Sequence, residues 1–360
     1  MSNPSSSMVQ TVSGRIPSED LGIALPHEHL VADISNYFIE PTDPTLRQRA
    51  DEPVTLANLH WVRYNHLSNR DNLLLDDEAL AVEEVSYFRD LGGRTIADVT
   101  PINIGRDPEA LLRIADMTGV HILMGTGYYI EQSQAPGLLD RETDAAVAEI
   151  FIDEITKGTV PSGIRAGIIG ELGCSWPLTE KETKVLRGAA FAQQETGASI
   201  TVHPGHVPEA PIEIMTILSE AGADPTKVII GHVELTIPYA DADSRLRLAD
   251  TGCYLEFDQL GQSELQMYTY RSTLPGVPYA DIPNDGLSLT AVLQLLNKGF
   301  LEQVLLSMDV CLKTCLAAYG GPGYAHIQEV GVRMMADKGL TNDQIEIITT
   351  RNPARALSLS

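Results

Sequence analysis

Short apolar, β-branched runs recur along the chain, and most of them end in a polar or ionisable side chain. After an opening run at 21–26 they read RTIADVT (94–100), HILMGTG (121–127), RAGIIGE (165–171), ASITVH (198–203), KVIIGH (227–232), CYLEFD (253–258) and QVLLSMD (303–309). Continuous rather than alternating apolar character is the mark of parallel strands covered on both faces. Helical patterns fill the intervals. DPEALLRIADMTG offers Asp107 as an N-cap and Pro108 in the first turn, with Gly119 at its end. TEKETKVLRGAAFAQQETG opens with Thr179 and Glu182 spaced for a capping box and closes at Gly197. Further helices are expected near 77–91, 140–157, 209–221, 286–298 and 325–338. Eight strands alternating with helices predict an α/β chain folded as a (β/α)8 TIM barrel, a single domain over residues 1–360. A doubly wound sheet would normally carry a glycine-rich turn after its first strand. Here that turn is PHEHLV, without glycine.

Composition narrows the class of function. A chain with 43% hydrophobic and 21% charged residues can bury a substantial core. Its formal charge of −24 argues against nucleic acid or an anionic membrane as partner. The start, MSNPSSSMVQ, lacks an apolar signal core, and no run approaches the roughly 18 apolar residues of a membrane span. Cys174, Cys253, Cys311 and Cys315 are scattered, as reduced thiols of a cytoplasmic protein would be. The spacing of Cys311 and Cys315 also suits half a zinc site, although no second Cys or His pair follows nearby. Two connections are long. Segment 31–76 is expected to hold its own helix around 54–65, and 259–285, rich in Tyr, Pro and Gly, reads as a lid or binding loop.

Strand C-termini of such a barrel converge on the face where active sites sit. Strand one ends in His27 and His29, whose i, i+2 spacing points both imidazoles to one side. Glu171, His203, His232 and Asp309 end strands four, five, six and eight. Four of the nine histidines and two carboxylates therefore share one rim. An H-x-H pair alone is equally compatible with two hydrogen-bonded loop histidines. Six ligands, however, exceed the three of a mononuclear catalytic zinc. They suit two metal ions about 3.5–4 Å apart, bridged by a carboxylate and a water-derived hydroxide. Imidazole and carboxylate together favour zinc, manganese, cobalt or iron over calcium or magnesium.

From PHEHL through DVTPINIGR, GTGYY, GELG, TVHPGH, VIIGH and SMD to YGGPGYAH, nearly the whole chain resembles the amidohydrolase superfamily and, within it, the phosphotriesterase-related family. The resemblance implies a first metal held by His27, His29 and Asp309, a second held by His203 and His232, and Glu171 bridging them. Zinc is the foremost candidate for both divalent ions. Many superfamily members use a carbamylated lysine as the bridge; Glu171 places this chain with a glutamate-bridged branch, so phosphotriester hydrolysis is not simply inherited. The expected reaction is attack by a metal-activated hydroxide on a carboxylic ester, a lactone or an N-acyl amide. Phosphotriester hydrolysis and a turnover-deficient metal-containing binding protein are the alternatives. Asp309, Glu171 and His232 are the expected catalytic residues, with Asp309 moving the proton. Tyr129 is expected to line the pocket and Lys313 to face an anionic part of a small-molecule substrate. Arg106 is expected to orient the loop after strand two, and His206 to sit beside His203. Cys174 lies near the bridge but lacks a histidine partner that would make it a nucleophile. NDGLSLTAV lacks the arginine that the family usually carries there, so contacts from that segment are not carried over. Relatives often pair, which suggests a homodimer by analogy.

Overall fold

The computed structural model describes residues 7–140, 142–262 and 284–359. Its strands are β1 Ile23–Glu28, β2 Gly93–Asp98, β3 His121–Thr126 and β4 Ile168–Gly173. They continue as β5 Ile200–His203, β6 Val228–Ile230, β7 Tyr254–Phe257 and β8 Val304–Leu306. Each pairs in parallel with its neighbour in sequence, giving one eight-stranded sheet in simple order. This is the expected (β/α)8 barrel.

The apolar runs are continuous because the strands are buried on both faces. Ile168 and Ile229 pack in a cluster with Leu123, Tyr254 and Leu305, while Ile169 and Ile230 join the cluster that holds Phe88, Leu111 and Phe151 of the surrounding helices. Val9, from an N-terminal hairpin of Met8–Thr11 and Gly14–Pro17, packs with the first of these clusters, as does Leu357 near the C-terminus. Side chains, not a ladder, join β1 to β8. The buried Glu28 carboxylate accepts the backbone N–H of Met308 and of Val310, both at 2.9 Å. Ser307 Oγ sits 2.6 Å from Glu28 Oε1 and 2.8 Å from the His27 carbonyl oxygen. The seam therefore holds the last rim residues of both strands in register.

The helices form where caps and periodicity place them: Glu78–Asp90, Pro108–Thr118, Asp144–Thr156, Glu180–Thr196, Ala210–Glu220 and Asp285–Asn297. Asp107 caps the second of these, and the Thr179–Glu182 capping box opens the fourth. The expected helix at 325–338 is a π segment, Ile327–Gly331, running into Val332–Asp337. The N-terminal hairpin, a helix at Ala242–Ala249 and the helical C-terminus from Asn342 lie outside the expected elements, although Asp241 caps the first of these helices and a Thr341–Gln344 capping box opens the C-terminal run. Segment 31–76 contains Leu59–Tyr64 as its helix, and a short antiparallel pair, Ala32–Asp33 with Leu74–Leu75, ties its two ends together. Most of the connection 259–285 lies outside the described residues. Among the described residues no helix is long and apolar enough to cross a membrane.

Candidate metal centre

Glu171 is the hub of the rim. Its Oε1 lies 3.3 Å from His27 Nε2, 3.3 Å from His203 Nδ1 and 3.0 Å from His232 Nε2. Its Oε2 lies 4.0 Å from His29 Nε2, and that nitrogen is 3.3 Å from Asp309 Oδ1. All six rim residues expected from sequence are thus brought together. His27, His29 and Glu171 form one potential metal-holding group, and Glu171, His203 and His232 form another.

Local backbone geometry explains how the chain aims these groups. The β4–β5 register shifts between Ile169 and Leu172, and Gly170 at that bulge has φ +122°. A Cβ there would collide with the Thr201 carbonyl, so only glycine allows the bend beside Glu171. His232 and Asp309 adopt the left-handed region, with φ 53° and 51°. Such a conformation costs a non-glycine residue about 1–3 kcal/mol and persists where neighbours over-determine it. The neighbours are visible. Asp258 Oδ2 accepts the His232 backbone N–H at 2.9 Å, and Gln262 Nε2 donates to the Asp309 carbonyl at 2.6 Å.

A further ring of side chains grips the outward nitrogens. His232 Nδ1 lies 2.9 Å from Asp258 Oδ1, and His29 Nδ1 lies 2.8 Å from Thr100 Oγ1. His27 Nδ1 faces both Glu256 Oε2 at 3.3 Å and Asp258 Oδ2 at 3.4 Å. Gln259 Nε2 donates to Asp309 Oδ2 at 2.8 Å. Sequence reasoning did not single out Asp258, Glu256, Thr100 or Gln259. Two of them had a signal, because Asp258 ends the run CYLEFD and Thr100 ends RTIADVT, just as the recognised residues end theirs.

Charge balance tests whether a metal suits this place. Burial opposes ionisation of Glu171, but His27, His203 and His232 outweigh it and hold its carboxyl well below the usual range. Burial likewise pulls His27 and His232 down, yet Glu171 beside the first and Asp258 beside the second push both well above an ordinary imidazole. The cluster demands positive charge, which protons or metal ions can supply. His27 Nε2 is buried and makes no hydrogen bond of acceptable geometry. Imidazoles gripped by carboxylates through one nitrogen, with the other turned to a shared carboxylate, are the usual surroundings of a catalytic transition metal. The donor set fits such ions.

Beside this cluster lies a cavity with about 540 Å³ of empty volume, open solvent included, walled by Ile34, Leu67, Ile104 and Leu312 and by the polar Tyr37, His66, Tyr129 and Gln259. Tyr129 does line it, with its hydroxyl 3.2 Å from His203 Nδ1, and it accepts a hydrogen bond from the Tyr37 hydroxyl at 3.1 Å. Lys313 requires a correction. It is not among the residues lining this cavity; its Nζ is 2.6 Å from Asp71 Oδ1, an anion supplied by segment 31–76. A buried ammonium takes the carboxylate within reach rather than waiting for substrate. Arg106 binds Glu154 through both terminal nitrogens and donates to the Gly125 carbonyl, fastening the end of β3 to the helix Asp144–Thr156. The His206 ring centre lies 5.3 Å from that of His203. Burial pushes the thiols of Cys174 and Cys311 well up, which keeps them neutral. Among the described residues no cysteine belongs to a metal-holding group.

The model of the Phosphotriesterase family matches residues 7–357. The chain is 37% identical over 354 residues to N-acetyltaurine hydrolase of Homo sapiens, covering 98% of each. It is 38% identical over 351 residues to the phosphotriesterase-related protein of Nematostella vectensis, covering 97% of each. The crystal structure of a resiniferatoxin-binding protein from Rhodobacter sphaeroides superposes with a TM-score of 0.91 at 34% identity, over 98% of this chain and 95% of that one.

Proposed function

Since the chain belongs to the phosphotriesterase family of hydrolases, we propose that its single barrel domain is a two-metal enzyme cleaving small N-acyl amides, with carboxylic esters and lactones as related substrates. The observation that carries this reading is the Glu171 carboxylate facing four imidazoles, three of whose outward nitrogens are already engaged by Glu256, Asp258 and Thr100. His27, His29 and Asp309 would hold one divalent ion, His203 and His232 the other, and Glu171 would touch both. Zinc suits the donors best, with manganese, cobalt and iron as alternatives. When bound, the ions supply Lewis acidity at the scissile carbonyl and bring the pKa of a coordinated water towards neutrality.

The chain's own groups do the rest. Glu171 stays ionised and keeps the two halves of the site at a fixed separation. Asp309, with Oδ2 held by Gln259 and Oδ1 turned to His29, accepts the proton of the attacking water and returns it to the departing nitrogen. His232 is fixed on both edges, by Asp258 and Glu171, so its ring cannot swing during turnover. Tyr129 offers its hydroxyl beside His203, where it can orient the substrate carbonyl. Ile34, Leu67, Ile104 and Leu312 give the non-reacting part of the substrate an apolar wall. The amide preference rests on relatives named N-acetyltaurine hydrolase, one of them human. The test is zinc-loaded protein assayed against N-acetyltaurine, N-acetyl amino acids, lactones and aryl phosphotriesters. Turnover is expected on the amides. Lactone or phosphotriester turnover without amide turnover would reassign the bond, and metal-replete protein inert on every substrate would leave a binding protein.

A further inference from the structure

One carboxylate reaches both halves of the site. Asp258 lies 2.9 Å through Oδ1 from His232 Nδ1 and 3.4 Å through Oδ2 from His27 Nδ1, while Oδ2 also accepts the His232 backbone N–H at 2.9 Å. His27 belongs to the first metal subsite proposed above and His232 to the second. We infer that Asp258 is a shared positioning residue that faces one imidazole of each subsite on Nδ1, and that its grip on His232 is what keeps that ring's Nε2 bare for a metal. The inference rests on the two-metal reading.

A neutral imidazole carries one N–H and one bare nitrogen. A carboxylate accepts only, so each ring facing Asp258 must place its N–H on Nδ1. Nε2 is then left bare and directed at Glu171, where an ion can take it. The two rings are not equally dependent. His27 Nδ1 makes its hydrogen bond to Glu256 Oε2 at 3.3 Å and stands in ion-pair contact with Asp258 Oδ2 at 3.4 Å, whereas for His232 Nδ1 Asp258 Oδ1 is the carboxylate in contact, the next one, Asp309 Oδ2, standing at 3.9 Å.

Asparagine exposes that asymmetry. In Asp258→Asn the side chain offers one acceptor and one donor. The backbone N–H of His232 cannot reverse and, at 2.9 Å from Oδ2, outweighs the long 3.4 Å contact of Gln259 Nε2 with Oδ1, so the amide oxygen stays at the Oδ2 position, beside His27. The amide nitrogen then faces His232 Nδ1 and forces its N–H onto Nε2. His232 can no longer ligate, while His27 can. The single substitution should therefore empty the His203–His232 subsite and spare the other.

The experiment pairs metal stoichiometry with imidazole ¹⁵N chemical shifts, on full-length protein equilibrated with zinc. Wild type should hold two ions per chain, with the N–H of both His27 and His232 on Nδ1. Asp258→Asn should hold one, with the His232 N–H moved to Nε2 and His27 unchanged. Glu256→Gln should retain two, because Asp258 Oδ2, 3.4 Å from His27 Nδ1, remains there to accept its N–H. Asp258→Asn retaining two ions, or losing both, overturns the inference. Should that variant fail to fold, an Nε2–H on either ring in zinc-loaded wild type overturns it equally. Wild type holding a single ion refutes the two-metal reading itself. The tautomer role is then judged separately by the ¹⁵N shifts, and an unchanged His232 signal in Asp258→Asn defeats it.

Discussion

Asp309→Asn separates a metal ligand from a proton carrier. Asn matches Asp in shape, but its amide must choose an orientation. Gln259 Nε2 lies 2.8 Å from Asp309 Oδ2 and 3.4 Å from Asp258 Oδ1, so two carboxylates keep that nitrogen pointed where it is. The Asn oxygen will therefore face Gln259, and its NH₂ will face His29 Nε2, which is now 3.3 Å from Oδ1. The variant loses the base and, on the His29 side, an oxygen ligand. Proton transfer by a positioned group contributes about 10²–10⁴-fold, equivalent to roughly 3–5 kcal/mol of barrier. With metal content held equal to wild type, kcat on an N-acetyl amide should fall by about that factor. The assay compares this amide with an aryl ester of the same acyl group. An amine leaves only after gaining a proton, whereas an aryl oxide departs readily without one. The ester should accordingly lose less than the amide, by at least about tenfold within the same range. Equal losses on both substrates would refute delivery of the proton to the leaving group and reduce Asp309 to a ligand.

Glu171→Ala should abolish turnover and lower bound metal while leaving circular dichroism unchanged, since Glu171 faces four imidazoles rather than the apolar core; full activity would remove it from the site. Chelation should destabilise the native protein, because an ion present at a thousandfold its Kd contributes about 4 kcal/mol. With an unfolding entropy near 2 cal/mol/K per residue, that is a fall of about 5 °C in Tm per ion for a chain of this length, and an unchanged melt would speak against tightly held metal. His66, buried in the cavity wall, has its pKa lowered from 6.5 to about 4 by burial. Between those values the unfolded chain takes up a proton that the folded protein refuses, so stability is full above pH 6.5 and declines towards pH 4, by about 3 kcal/mol. Denaturant melts of metal-free His66→Leu should lack that part of the acid loss, and parallel pH profiles for variant and wild type would show that His66 is not held neutral.

Much of this architecture is written locally. Apolar runs, the cap at Asp107, the Thr179–Glu182 box and the stop at Gly197 are patterns of neighbouring residues, and each free-energy preference acts over a turn or a strand. A barrel then brings every strand end to one face, so His27, His29, Glu171, His203, His232 and Asp309 could be grouped before any distance was known. Partner choice obeys a different rule. Lys313 pairs with Asp71, 242 positions away, and Glu28 closes the seam on Met308 and Val310 from 280 and 282 positions away. Tyr37 meets Tyr129 only because segment 31–76 folds back over the rim. Asp258 is the sharpest case. Its place at a strand end was plain in the sequence, but its grip on two rings from different strands follows from strand tilt and register, which set separations of a few ångströms across the barrel. Hydrogen bonds and ion pairs are decided at that scale, and only the closed tertiary structure supplies it.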